Sequence, residues 1–120
     1  MLPKEKRLRD TRDFKRVYQK GSFFGSQIFT MSALPNKRAL SRVGVVISKK
    51  VEPKAVKRNL LKRRFREAIG SLYEKLPAGY DVVVSIKSKA KEADFKDVKA
   101  QVAEVFGKVG TNASSRHRSN

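Results

Sequence analysis

The chain has 120 residues, of which 29 are Lys or Arg and 11 are Asp or Glu, and its formal net charge is +18. This charge is far above the magnitude of about 2 to 8 that suits a small soluble domain, and it predicts a polyanionic partner. The absence of cysteine excludes a disulfide scaffold, a zinc finger and a cysteine nucleophile, and the only histidine, His117, leaves little basis for histidine catalysis. No apolar run approaches the roughly 18 residues of a membrane span, so we expect a cytoplasmic protein without membrane contact.

The N-terminal third predicts one helix and two strands. A helix is expected over Thr11–Lys20, capped by Thr11 and ended by Gly21, with Phe14, Val17 and Tyr18 on one face. Residues 22–34 are rich in Phe, Ile and Thr and predict a strand that breaks at Gly25. After a turn at 35–36, residues 42–48 predict a buried strand, and we expect it to pair with 22–34 as an antiparallel hairpin.

The remainder predicts a long helix, a strand and a last helix. The helix over 55–76 has an apolar stripe consisting of Leu61, Phe65, Ala68, Ile69, Leu72 and Leu76. The segment 81–86 is rich in β-branched residues and predicts a strand. A last helix is expected over 94–106, ended by Gly107. Its apolar residues should face inward; they are Phe95, Val98, Val102, Val105 and Phe106. The strands flanking the long helix should run parallel in one sheet, with helices on one face and the first helix covering part of the other. We expect one domain over 1–107 and a disordered basic tail over 108–120.

The positive charge is concentrated in one window. Residues 37–66 contain twelve basic side chains and one acid, Glu52, whereas residues 67–107 contain six basic and seven acidic side chains. Arg58, Lys62 and Arg66 follow one another at i, i+4, where like charges weaken a helix by a few tenths of a kcal/mol per pair. A solubilising face is the alternative explanation, but this costly pattern favours an external anion such as successive phosphates of RNA.

Two aromatic residues of the first helix leave two interpretations open. Phe14 and Tyr18 have the spacing of core residues, which the pattern alone favours, but Lys15, Arg16 and Lys20 beside them also suit stacking of unpaired bases. No pair of acids forms a motif for metal ligation or acid–base catalysis, and there is no Gly-rich phosphate loop. We therefore expect no catalytic residue, no metal ligand and no small-molecule substrate.

The run from Arg42 to Glu67, RVGVVISKKVEPKAVKRNLLKRRFRE, resembles the protein subunit of bacterial ribonuclease P. The similarity rests on five short motifs and on an opening Arg7-Leu8, Asp13-Phe14 and Gly21; the motifs are Ser48-Lys49-Lys50, Ala55-Val56, Arg58-Asn59, Lys62-Arg63 and Arg66-Glu67. The resemblance implies an α+β two-layer sandwich of the ribosomal-protein type, ordered α-β-β-β-α-β-α, with a mixed four-stranded sheet. It also implies a left-handed βαβ crossover, against the general right-handed rule.

The resemblance further implies removal of the 5′ leader of precursor tRNA, with catalysis and Mg²⁺ held by the RNA subunit. The residues that it assigns to the catalytic RNA are Lys57, Arg58, Asn59, Lys62, Arg63, Arg64 and Arg66. Those that it assigns to the leader are Arg9, Phe14, Tyr18, Lys49 and Lys50. Ribonuclease P RNA and precursor tRNA are therefore the expected partners.

Two positions depart from the family pattern, and two other functions remain as alternatives. Leu60 stands where a further basic residue is frequent, and Ser32 stands where the cleft can carry an aromatic. A structural ribosomal protein or a general RNA chaperone would have the same charge and type of fold. A protein-only nuclease is disfavoured because the sequence has no metal-binding cluster.

Overall fold

Three helices and four strands follow one another in the predicted order in the computed structural model, which describes residues 2–111. The helices are α1 (Thr11–Lys20), α2 (Ala55–Leu72) and α3 (Phe95–Thr111). The strands are β1 (Ser22–Gly25), β2 (Phe29–Pro35), β3 (Arg42–Val46) and β4 (Tyr80–Ile86). Short 3₁₀ turns lie at Lys4–Lys6, Tyr73–Lys75 and Ser88–Glu92.

The sheet has the strand order β1-β2-β4-β3, with β4 antiparallel to β2 and parallel to β3. The parallel β3–β4 pair confirms the predicted βαβ unit, but the predicted hairpin between 22–34 and 42–48 is wrong because β4 separates β2 from β3. Strand β4 is apolar on both faces, since Val82, Val83 and Val84 are all fully buried. Its position inside the sheet, between β2 and β3, buries this apolar surface better than an edge position would. The hairpin forms within 22–34 instead, where β1 pairs with β2.

The larger core lies between the sheet and helices α2 and α3. Phe29 of β2 and Phe65 of α2 meet edge to face, with ring centroids 5.9 Å apart. Most of the predicted stripe of α3 is buried here, but Phe95 is 39% exposed and the prediction that it faces the core is wrong. Phe95 is the first residue of α3 and lies beside the outer flank of α2, near Leu60.

Helix α1 covers part of the opposite face of the sheet, as expected. A small core forms there from Leu8, Val17 and Val83, with Phe14 and Val46 packed against it. The N-cap of α1 is Asp10 rather than Thr11, because the Asp10 carboxylate accepts the backbone N–H of Arg12 at 2.8 Å.

Two helix ends differ from the prediction. Helix α2 ends at Leu72, and the 3₁₀ turn that follows carries the chain to the buried Leu76. Helix α3 continues through Gly107 to Thr111, because Val109 is buried and extends the apolar stripe of Val105 and Phe106 by one more turn. Residues 108–111, assigned to the tail, are therefore helical, and 112–120 lie outside the described residues. The hand of the crossover stays a prediction.

Candidate nucleic-acid interface

The basic residues of α2 point in several directions around the helix. Because successive residues are rotated by about 100°, the buried stripe leaves one group on the side away from the core. We call this group the α2 crest; it consists of Asn59, Lys62, Arg63 and Arg66. Lys62 is half-buried and the other three are exposed. None of the four makes a side-chain hydrogen bond or ion pair within residues 2–111.

Two arginines that were assigned to RNA have partners inside the protein. Arg58 Nη1 donates to the backbone oxygens of Glu52 at 3.0 Å and Pro53 at 2.8 Å. Arg64 Nη1 donates to the carbonyl oxygen of Ala93 at 3.4 Å, which links α2 to the segment before α3. Arg58 thus holds the loop before α2, and its RNA contact and that of Arg64 stay predictions.

The loop that carries Lys49 and Lys50 is held from both sides. Both lysines are exposed in the turn after β3. Lys91 Nζ donates to the carbonyl oxygen of Val51 at 2.9 Å and lies 3.5 Å from the Glu52 carboxylate. The backbone N–H of Lys54 donates to that carboxylate, and this bond, aided by Lys91, lowers the pKa of Glu52 against the opposing effect of burial. The one acid of the basic window therefore orders the loop.

A cleft of about 450 Å³ lies at the outer edge of β3, the edge away from β4. The N-terminal segment forms one wall, since the backbone N–H of Leu8 donates to the Val43 oxygen at 3.0 Å. Apolar residues form much of its lining, and three arginines accompany them, Arg7, Arg9 and Arg66. An apolar surface beside several cations suits a single-stranded nucleic acid.

Phe14 lies in this cleft and packs against the sheet. A Cβ atom at Gly44 would lie 2.6 Å from Cε1 and Cζ of Phe14, so the ring rests directly on the β3 backbone. Phe14 is half-buried, and it therefore has features of both interpretations that the sequence left open. Tyr18 is 37% exposed and its hydroxyl lies 3.1 Å from Ser85 Oγ; it does not line the cleft.

The cleft contains residues from both predicted sets and leaves others outside. Arg9 and Phe14, assigned to the leader, lie together with Arg66, which was assigned to the catalytic RNA. Ser32 is buried and pairs across the sheet with Phe23, which is 36% exposed. Because residues directly opposite in an antiparallel pair share a face, Phe23 places a ring beside the position where Ser32 departs from the family.

An ion-pair network that the sequence analysis missed ties α1 to the sheet. Arg42 donates to both carboxylate oxygens of Asp81, at 2.9 and 2.7 Å, and its Nη2 lies 3.4 Å from Asp13. Burial acts to raise the pKa of Asp81, but hydrogen bonds from Arg42 and Asn36 outweigh it and hold that pKa below its usual value. A carboxylate at the start of a buried strand needs a cationic or hydrogen-bonding partner. The position of Asp81 directly before the valines of β4 was therefore the feature of the sequence that could have predicted this ion pair.

Residues 2–111 offer neither a cluster of metal ligands nor a helix that could span a membrane. No group of three or more His, Cys, Asp or Glu side chains that could hold a metal ion occurs in residues 2–111. None of the helices in this range combines the length and the apolar character needed to cross a membrane.

The mixed sheet, the cationic α2 crest and the arginine-rich cleft define the class of the protein: it is a small, basic α+β protein of the kind that accompanies structured RNA. The sequence model of one such family, Ribonuclease P, matches residues 2–110, and the chain belongs to that family.

Named relatives support the same assignment. The chain is 39% identical over 95 residues to the ribonuclease P protein component of Picosynechococcus sp., covering 79% of this chain and 82% of the relative. It is 36% identical over 108 residues to that of Caldanaerobacter subterraneus, covering 90% and 92%. The solved RNase P protein from Thermotoga maritima superposes with a TM-score of 0.78 at 31% identity, covering 85% of this chain and 96% of that one.

Family membership confirms the resemblance that the sequence indicated, and the solved relatives confirm the mixed four-stranded fold. The chain is a protein component of ribonuclease P, an endoribonuclease holoenzyme. Membership implies a role in tRNA 5′ processing and a ribonuclease P RNA partner.

Proposed function

We propose that the α2 crest binds the ribonuclease P RNA. The observation that carries this proposal is that its three cations and one amide point away from the core and make no side-chain hydrogen bond or ion pair within residues 2–111. Cationic side chains on successive turns suit phosphates of a folded RNA, and the Arg guanidinium offers several donors in one plane. Lys57 is exposed on the same helix and adds to the positive potential, as do Arg58 and Arg64 at its flanks.

The cleft at β3 receives the 5′ leader of precursor tRNA in this proposal. Phe14 offers a ring for one unpaired base, while Arg9 and Arg66 neutralise nearby phosphates. Lys49 and Lys50 extend the cationic surface beyond the end of β3, and Tyr18 extends the aromatic surface along α1. Arg66 belongs to both the α2 crest and the cleft, so the two RNA-binding surfaces are continuous.

The RNA subunit carries out the cleavage and holds the Mg²⁺, and the polypeptide contributes binding alone. The assignment of catalysis to the RNA is supported by the surroundings of three acidic residues, which already have partners within the protein. Asp13 and Asp81 pair with Arg42, and Glu52 is bound to Lys91 and to the backbone of Lys54.

Reconstitution with the organism's ribonuclease P RNA tests the proposal. At low Mg²⁺ the wild-type chain should accelerate removal of the 5′ leader, and the triple variant Lys62→Ala, Arg63→Ala, Arg66→Ala should lose most of that effect. The matched control removes three exposed charges elsewhere, at Lys75, Lys89 and Lys96. Equal activity of the two triple variants would contradict the proposal, and so would leader cleavage by the protein without RNA.

Sequencing of the RNA that copurifies with the chain separates this function from the ribosomal or chaperone alternative. We expect one abundant structured RNA together with tRNA precursors. Enrichment of ribosomal RNA instead would favour the alternative.

A further inference from the structure

A second depression lies between α2 and α3, on the flank of α2 that faces away from the cleft. We call it the Leu60 notch; it measures about 390 Å³, and its lining residues are Leu60, Arg63, Arg64, Glu67 and Phe95. Leu60 is 55% exposed and Phe95 39% exposed. Two large apolar side chains are thus left open to solvent beside each other, Leu60 on the most basic helix, α2, and Phe95 at the start of α3.

The charges around the notch are mainly positive. Arg63 and Arg64 line it, and Lys99 Nζ lies 5.7 Å from the centroid of the Phe95 ring. The hydrogen bond from Arg64 to the carbonyl oxygen of Ala93 links this wall of the notch to the segment just before α3. An aromatic ring set among three cations complements a nucleotide, which presents a flat apolar base and an anionic phosphate together.

We propose that the Leu60 notch holds one unpaired nucleobase of the RNA that binds the α2 crest. Phe95 stacks on the base, Leu60 packs against its edge, and Arg63, shared between notch and crest, binds the adjoining phosphate. The inference rests on the proposed function, because the same RNA must lie along α2.

Glu67 adds a preference among bases. Glu67 lines the notch, and a carboxylate accepts hydrogen bonds but donates none. A base with an exocyclic amino group, such as cytosine, donates to it from that group, whereas the only donor on the same edge of uracil, N3–H, lies between two carbonyl oxygens that repel a carboxylate. The notch therefore favours an amino-bearing base.

Fluorescence provides a local test because the chain contains no tryptophan. Phe95→Trp places the single tryptophan of the chain in the notch, and Leu40→Trp places it at a residue with the same 39% exposure elsewhere. Addition of ribonuclease P RNA should quench the Phe95→Trp variant strongly and the Leu40→Trp variant little. In the Phe95→Trp variant, oligocytidylate should quench more than oligouridylate; equal quenching would remove the preference assigned to Glu67.

Affinity for ribonuclease P RNA supplies the second measurement. Phe95→Ala should weaken binding about 5- to 150-fold, the range expected for loss of one stacked base. Phe95→Tyr should restore near-normal affinity, and Leu40→Ala should change it less than about twofold.

The possible failures are distinguishable. If the crest variants lose RNA affinity while Phe95→Ala keeps it, the notch proposal is overturned and the proposed function stands. If the wild-type chain binds no ribonuclease P RNA, both fail. If fluorescence of the Phe95→Trp variant depends on protein concentration without RNA, the notch is a contact between copies of the chain and the nucleobase proposal is overturned.

Discussion

Arg58 and Arg63 carry the same charge on the same helix but have different surroundings. Arg58 donates to two backbone oxygens of the preceding loop, whereas Arg63 is exposed on the α2 crest. We expect Arg58→Ala to lower the free energy of unfolding by about 1–2 kcal/mol, because charged hydrogen bonds to the backbone are lost. Arg63→Ala should leave stability unchanged.

Binding and stability measurements on both variants check this difference. Arg63→Ala should reduce the slope of log affinity against log salt by about 0.7–0.9, the loss of one phosphate contact. In urea unfolding, the Arg58→Ala variant should be the less stable of the two, and Arg63→Ala should unfold like the wild type. Equal stability of both would show that the bonds of Arg58 to the loop contribute nothing measurable.

Phe14 provides a test of the cleft. Phe14→Ala should weaken binding of precursor tRNA to the holoenzyme by about 1–3 kcal/mol, since one base–aromatic stack is lost. Mature tRNA has no leader, so its affinity should change much less. Gly44→Ala should cause the same selective loss, because the new Cβ would displace the Phe14 ring. Equal weakening of both tRNAs would make Phe14 a purely structural residue.

At the scale of the elements, the Arg42 network joins α1, β3 and β4 and makes their packing depend on pH. The pKa of Asp81 is lowered in the folded protein, while in the unfolded chain it should be about 3.9. The stabilisation is therefore complete above the unfolded pKa and is lost as pH falls through the lower, folded pKa.

Asp81→Asn should cost about 3 kcal/mol at pH 7, because it leaves Arg42 half-buried without its main partner. The difference from wild type should shrink at about pH 3. Chemical unfolding at both pH values measures it, with Glu74→Gln, at an exposed site, as the control. A cost that is the same at both pH values would contradict the assigned role.

The sequence was sufficient to predict the elements and insufficient to predict their neighbours. Periodicity located α1 and the buried stripe of α2 because each pattern is local. Strand pairing depends on burial summed over the whole sheet. Proximity in sequence had predicted that β3 pairs with β2, but the valine-rich β4 lies beside β2 instead. Likewise, the basic pattern located α2, but only the fold shows that Arg58 and Arg64 turn to backbone oxygens.

The α2 crest and the cleft meet at Arg66, whereas the six basic and seven acidic residues of 67–107 nearly cancel, so the positive charge is concentrated at one surface of the protein. With about five phosphate contacts to single-stranded segments, the log–log salt slope should be about −3.5, and affinity for RNA should fall about 100-fold between about 50 and 200 mM salt. Filter binding across this range checks the estimate. A flat response would contradict an interface dominated by charge.

The central position of β4 has a consequence for biosynthesis. Apart from one bridge to Arg7, β3 pairs within residues 2–111 with β4 alone, so the sheet stays incomplete until the ribosome has released residue 86. Residues 37–66 emerge earlier, as a polycation whose strand β3 still lacks its partner β4, in a cell full of ribosomal and messenger RNA. The nascent chain must therefore finish folding before such transcripts capture it, and synthesis speed as well as sequence determines how much functional protein results.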